Sequence, residues 1–352
     1  MKRTIALVLT LVLLAALFTG CQNNTDVADG TLSGVVNVYN WGEYIDPDVL
    51  AEFTAQTGIR VNYQTFDSNE SLYTILKGGG ADYDVIIPSD YMISRLIAED
   101  MLDKIDFSNV PNMANVDEYY LSPEYDPTNE YSAPYLWGTV GIIYDPNVVT
   151  KPVTGWSVLF DPDYAGQILM FDNQRDAMGI ALKYLGYSIN TTDEIELEAA
   201  FTKLREQKPL LQAYVMDAIF DKLESGEAAL GPYYAGDYIT MLENNPDLMF
   251  CLPIEGSNLF VDAMCIPKGA RNKRNAEAFI NFMRDTDTAL ANADYTGYST
   301  PIHTAFELLD DEVRDNEVQY PSPEALARCE IFVNLPAHIQ EWYDNMWIEL
   351  KL

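Results

Sequence analysis

Five short stretches of the chain set aromatic rings beside carboxylates: Tyr39-Asn40-Trp41-Gly42-Glu43-Tyr44, Pro88-Ser89-Asp90-Tyr91, Asp172-Asn173-Gln174-Arg175-Asp176, Tyr233-Tyr234-Ala235-Gly236-Asp237 and Leu259-Phe260-Val261-Asp262. This mixture suits capture of a flexible diamine or triamine. Ammonium groups leaving water need carboxylates in its place, and the methylenes between them need aromatic walls, whose faces add about 0.5 to 2 kcal/mol of cation–π attraction each. A sugar site would pair its rings with mostly neutral hydrogen-bonding groups. An amino-acid site would need an arginine for the ligand's carboxylate, and Arg175 is the only basic residue in these stretches. Asp262 sits in an apolar run and so requires a partner. Asp176 and Asp237 each begin a helical pattern, where an aspartate also serves as a cap for backbone N–H groups.

Patterns for catalysis are missing. No Gly-x-Ser-x-Gly elbow and no phosphate-cradling Gly-x-x-x-x-Gly-Lys occurs, and Gly78-Gly79-Gly80 ends a helical stretch. His303 and His338 are the only histidines, with no Cys-x-x-Cys or His-Glu-x-x-His spacing, so neither a metal nor any other cofactor is expected. A secreted glycosidase using two carboxylates is the alternative enzyme reading, since any two of the 54 Asp and Glu residues could meet. A surface lipoprotein without a transported ligand is the third.

The elements that would position these stretches alternate. Strand Val35 to Asn40 leads to a helix capped by Asp46-Pro47 and stopped by Gly58; strand Ile59 to Gln64, helix Ser68 to Lys77, strand Asp84 to Pro88 and helix Asp90 to Asp100 follow. This β-α-β-α-β order predicts a parallel sheet with right-handed crossovers. Tyr131 to Tyr144 reads as one long extended segment. Strand Gln167 to Phe171, helices Arg175 to Tyr187, Asp193 to Gln207 and Ala218 to Ser225, strand Ala228 to Tyr233 and helix Asp237 to Glu243 form a second block. Strands Met249 to Pro253 and Leu259 to Pro267 then precede helices Asn275 to Met283 and Asp287 to Ala293. The expectation is two α/β lobes around a cleft, with ligand beyond the carboxyl ends of the strands. Asp67-Ser68-Asn69-Glu70 reads as a helix start, and Pro134-Tyr135-Leu136-Trp137 as crossover packing.

The N-terminus reads as an export signal. Lys2 and Arg3 precede the apolar run Ile5 to Phe18, which closes on Thr19-Gly20-Cys21. Cys21 is placed for lipidation, residues 1–20 for removal, and residues 21–33 for a tether. The run is too short for a comfortable membrane span. The formal charge of −33, or −35 once Lys2 and Arg3 are lost, excludes nucleic acid and favours a cation. Cys251, Cys265 and Cys329 are too few for a disulfide scaffold and read as thiols, with a Cys251–Cys265 bridge the other option.

The segments Val38 to Tyr44, Phe53 to Ile59, Phe66 to Glu70, Tyr83 to Ser89, Pro134 to Gly138 and Asp262 to Pro267 together resemble the spermidine/putrescine-binding proteins of polyamine ABC importers, and the likeness runs from Gly34 to Leu352. The resemblance implies a type II periplasmic-binding-protein fold, with lobes at 34–139 plus 264–301 and 140–263 plus 302–352. It implies a monomer that docks on membrane permease subunits and carries no catalytic activity, anchored by Cys21 at the outer face of the membrane or lying in a periplasm. Carried over position by position, Trp41 and Tyr44 would wall the ligand, Glu43 would take one ammonium from the first lobe, and Ser89 and Tyr91 would line the same wall. Asp176 would supply a second-lobe carboxylate where relatives carry glutamate. Tyr234 stands in place of a tryptophan, and Phe260 where spermidine binders tend to have tryptophan. Asp262 would hold an amine and Tyr298 would lie near it. Asp237 resembles putrescine-preferring members, whereas Glu43 is closer to spermidine-preferring ones. Gly42 lacks the hydroxyl that most relatives have.

Overall fold

The computed structural model describes residues 32–79 and 82–352, so the export signal, Cys21 and most of the tether lie outside the described residues. The first block is β1 (Gly34–Trp41), α1 (Pro47–Thr57), β2 (Ile59–Phe66), α2 (Asn69–Lys77), β3 (Val85–Ile86) and α3 (Asp90–Ala98). Its punctuation follows the sequence. The Asp46 side chain accepts from Asp48 N–H at the start of α1, Pro47 fills the first turn, and Gly58 ends the helix at φ 72°, where a side chain would be strained. Ser68 caps α2 and forms a capping box with Ser71.

After the short β4 (Leu102–Asp103), β5 runs from Ser132 to Tyr144. The second block is β6 (Ile168–Phe171), α4 (Gln174–Tyr184), α5 (Glu194–Gln207), β7 (Leu211–Val215), α6 (Ala218–Glu224), β8 (Leu230–Tyr234) and α7 (Ala235–Met241). Then come β9 (Met249–Cys251), β10 (Leu259–Pro267), α8 (Lys273–Phe282), α9 (Thr286–Thr296) and, after three single-turn helices, α10 (Ala337–Lys351).

The strands hydrogen-bond in the order β2-β1-β3-β10-β5-β8-β6-β7, with β4 against β10 and β9 against β5. β1 pairs parallel with β2 and β3, and β6 pairs parallel with β7 and β8. The two parallel groups are joined through β10 and β5. The first half of β5, Ser132 to Thr139, pairs antiparallel with β10, and its second half, Val140 to Tyr144, pairs with β8. β5 thus changes partner between Thr139 and Val140. β10 joins the first half of β5 from Leu259 onward.

Each lobe has its own core. Val36, Val38, Phe53, Ile59, Met264, Phe279 and Ile280 fill the first, and Trp156, Leu169, Phe171, Met178, Leu197, Leu230 and Tyr343 fill the second. Burial of each such side chain contributes about 1.5–3 kcal/mol. Pro134 to Trp137 is buried strand in β5, as crossover packing requires.

Several elements differ from expectation. β3 spans two residues: Asp84 N–H and Ile87 N–H still donate to Asn37 O and Tyr39 O of β1, but the Asn37 N–H is taken by Asp84 Oδ2 at 2.9 Å, and Pro88 has no N–H to give. β7 and α10 were not anticipated. The run Leu211 to Val215 is too short to separate from the helices on either side by periodicity. α10 packs Ile339, Tyr343, Met346 and Leu350 into the second core. Cys251, Cys265 and Cys329 are all free thiols. Among the described residues no helix is long and apolar enough to cross a membrane.

Candidate functional site

The carboxyl ends of β1, β2, β3, β6, β7 and β8 converge on one cavity between the lobes. It is lined by Trp41, Tyr44, Phe66, Asp67, Ser89 and Tyr91 from the first block, by Asn173, Asp176, Met216, Asp217, Tyr233, Tyr234 and Asp237 from the second, and by Phe260 and Asp262 of β10 with Tyr298. The centre of a water molecule can reach ≈ 50 Å³ of it. At about 10–15 Å³ per water that is room for roughly three to five waters, a slot for something slender.

Packing fixes the rings. Trp41 Nε1–H donates to Ile87 O at 2.9 Å, and its indole lies 4.5 Å from the Phe66 ring. Tyr298 meets Tyr44 edge-on at 4.6 Å, and Phe260 meets Tyr234 edge-on at 5.4 Å. The close approach of Tyr298 depends on Gly236, where any Cβ would collide with the ring. Tyr91 Oη donates to Glu70, which is not part of the slot lining, at 2.9 Å.

Three carboxylates are held inside. Asp262, Asp176 and Asp237 are 4%, 6% and 7% exposed. A register shift between Asp262 and Ala263 breaks the β10–β5 ladder, and such a bulge re-aims the adjoining side chain, here into the slot. Asp176 and Asp237 lie in the first turns of α4 and α7, where the helix N-terminus favours negative charge. The cap of α4 is not Asp176 but Asn173, which accepts from Arg175 N–H and Asp176 N–H. Asp176 is thereby left for another role. Burial pushes the Asp262 and Asp176 carboxyls up to about 7 and raises Asp237 well above the usual range. Asp262 Oδ1, Asp176 Oδ1 and the Tyr44 hydroxyl are buried without a well-formed hydrogen bond, with Tyr44 and Ser89 standing beside Asp262 and Asn258 beside Asp176 as neutral neighbours. Buried polar groups in folded proteins are nearly always satisfied, so the two carboxylate oxygens mark where a further donor belongs.

The basic residue near the site faces elsewhere. The Arg175 guanidinium lies 4.9 Å from the Tyr91 ring centre, 4.4 Å from Phe332 and 5.6 Å from Tyr343, behind the aromatic wall. Among the described residues that line the slot six are aspartates, Asp90 at its edge included, and none is basic.

The structure brings together Trp41, Tyr44, Ser89, Tyr91, Asp176, Tyr234, Asp237, Phe260, Asp262 and Tyr298. Glu43 stands apart. It is exposed, at φ 46°, and lines a separate acidic depression with Asp46, Asp221, Glu224, Glu243 and Asp294, because the turn after Gly42 carries its side chain outward. Asp90 serves the fold: its carboxyl, pushed up to about 8 by burial, accepts from Tyr91 N–H at 2.6 Å and from Val261 N–H at 3.1 Å. Asn69 Nδ2–H donates to Ser89 Oγ at 3.1 Å and its Oδ1 accepts from Ser89 N–H at 3.1 Å, which positions the serine. Sequence reasoning gave no ligand role to Phe66, Asp67, Met216, Asp217, Asn258 or Phe332 in the lining, and singled out the stretches holding Asn173 and Tyr233 without assigning those two residues. Reading Leu211 to Val215 as a strand would have pointed to Asp217 by the same strand-end rule; Phe332 arrives from a distant loop and gives no local signal. Among the described residues no group of three or more His, Cys, Asp or Glu side chains is placed to hold a metal ion.

A family model for bacterial extracellular solute-binding proteins matches residues 48–319. The chain belongs to this family. This solute-binding protein is 38% identical over 295 residues to the spermidine/putrescine-binding periplasmic protein of Escherichia coli K12, covering 83% of this chain and 84% of that one. It superposes with a TM-score of 0.87 and 40% identity on a protein described as part of a spermidine/putrescine ABC transporter of Listeria monocytogenes, covering 90% of this chain and 99% of the other. A lipoprotein of Treponema pallidum superposes with a TM-score of 0.80 and 30% identity, covering 90% and 99%. The two α/β lobes of the solute-binding protein thus form the periplasmic-binding-protein fold expected from its sequence.

Proposed function

We propose that the protein captures a linear polyamine, putrescine or spermidine, outside the cell membrane and hands it to the permease of an ABC importer. The observation that carries this reading is the set of buried, unpartnered oxygens on Asp176 and Asp262 in an aromatic slot whose described lining holds no cation. An ammonium supplies the missing donors and the missing charge at once. Trp41, Tyr44, Tyr91, Tyr234, Phe260 and Tyr298 replace the water around the methylenes, and Ser89 adds a neutral polar contact. Asp237 takes the terminal ammonium toward the mouth, and Glu43 draws cations toward that mouth from outside. The related proteins named for spermidine and putrescine support the same ligand class.

The lobes, 34–139 plus 264–301 and 140–263 plus 302–352, close on the ligand as a monomer. Ligand shifts the population toward the closed form that the permease recognises, and no bond is made or broken. Micromolar affinity requires about −8 kcal/mol net, within reach of a few such contacts after ordering costs. The lipidation pattern at Cys21 anchors the protein to the membrane surface, a reading supported by the lipoprotein among its structural relatives. A thermal-shift assay tests the function: stabilisation by putrescine or spermidine is expected. Turnover of a glycoside would instead support an enzyme, and no response to any small molecule a structural lipoprotein.

A further inference from the structure

Asp217 has no counterpart in the sequence motifs, yet it is the residue shared by the slot and the acidic depression outside it. It follows β7 in the second lobe, exposed at the rim. Two neighbours define its place. Tyr233 Oη donates to Asp217 Oδ1 at 3.1 Å, which orients the carboxylate and leaves Oδ2 facing away from that bond. Across the lobe boundary Oδ2 meets the backbone of Gly42, where the Cβ of any other residue would collide with it. The glycine at position 42 therefore leaves the Asp217 carboxylate room at the mouth, in a position from which a side chain there would turn it aside. Asp217 also raises the Asp237 carboxyl through its charge, so the two acids are neighbours, the buried Asp237 lining only the slot and Asp217 lining its exit as well.

We propose that Asp217 is a ligand carboxylate and a determinant of ligand length: it binds the outermost ammonium of a polyamine that extends past Asp237, with Gly42 clearing its path. This rests on the polyamine reading of the slot. A diamine spanning the inner acids ends at Asp237. A triamine places its additional charge at the mouth, where Asp217 is the closing carboxylate of the second lobe. The site therefore favours the longer cation through a residue outside the family motifs.

Titration calorimetry of the wild-type protein, Asp217→Asn and Gly42→Ala with putrescine and with spermidine tests this, with thermal melting to confirm folding. Asp217→Asn is expected to weaken spermidine about three- to tenfold, the range for an exposed charge-assisted contact, and putrescine less than about twofold. Gly42→Ala, which pushes the carboxylate aside, is expected to show the same selective loss. Spermidine binding unchanged in Asp217→Asn, or equal losses for both ligands, would overturn the proposal while leaving the polyamine reading intact. A wild-type protein that binds neither ligand would overturn both.

Discussion

Tyr234 Oη donates to Asp176 Oδ2 at 3.2 Å, which satisfies one oxygen of a buried carboxylate and leaves the other, Oδ1, without a donor. Half-satisfied acids of this kind are costly in the ligand-free protein. They become favourable only when a cation enters, so the same groups that weaken the fold strengthen the complex.

Asp262→Asn should separate these two effects. The amide removes the charge that a bound ammonium needs, and a lost charge-assisted hydrogen bond of about 1.5–3 kcal/mol corresponds to a tenfold or greater fall in affinity. The ligand-free variant should melt no lower than the wild type, because a buried group raised to about 7 no longer has to ionise. Unchanged affinity by calorimetry would make Asp262 a structural residue.

Both affinity and stability should depend on pH, with opposite signs. Asp176 and Asp262 hold their protons to about 7 in the folded protein, against an ordinary value of 3.8. Between those values the native state binds more protons than the unfolded chain, so the stability of the ligand-free protein falls as pH rises through that window. Ammonium binding needs the ionised acids, whereas alkylamines, like lysine at about 10.4, stay charged. Affinity should therefore climb from about pH 5 to about pH 7 and level off above it, with proton release on binding visible as a buffer-dependent heat. A flat profile over that range would show that these acids do not contact the ligand.

Asp237→Ser should cost more affinity for putrescine than for spermidine, because the shorter ligand ends at this carboxylate and has no further contact to fall back on. Equal losses in parallel titrations would discard that placement.

Gly236→Ala is expected to hold the lobes apart. Its methyl would enter the space of the Tyr298 ring, which packs in the first core while Gly236 lies in the first turn of α7 in the second block. Small-angle scattering should show the ligand-induced compaction of the wild type lost or reduced in this variant, with affinity down more than about tenfold. Normal compaction would show that the two elements do not approach on closing.

Much of this site was legible in the sequence because strand ends are. Asp46-Pro47, Gly58 and Ser68 mark boundaries by local chemistry, and the rule that ligands sit beyond the carboxyl ends of parallel strands points to the stretches that hold nine of the expected site residues found in the lining, whereas Tyr298 was legible only through the family resemblance. What stayed hidden depends on contacts between distant segments. Glu43 could not be seen to turn outward, since that follows from the φ of 46° after Gly42. The role of Asp90 as a support for Val261 N–H, and the screening of Arg175 behind Tyr91 and Phe332, are set by the meeting of β10, α3 and α4. Asp217 was obscured because a five-residue strand between helices has too little periodicity to stand out.

Calorimetric titration of the purified protein with putrescine, cadaverine, spermidine and spermine tests the central claim most directly. One saturable site per chain at about micromolar affinity or tighter is expected for putrescine or spermidine, lost on charge removal at Asp262. Absence of saturable heat for every one of these amines, up to millimolar concentrations, would contradict it.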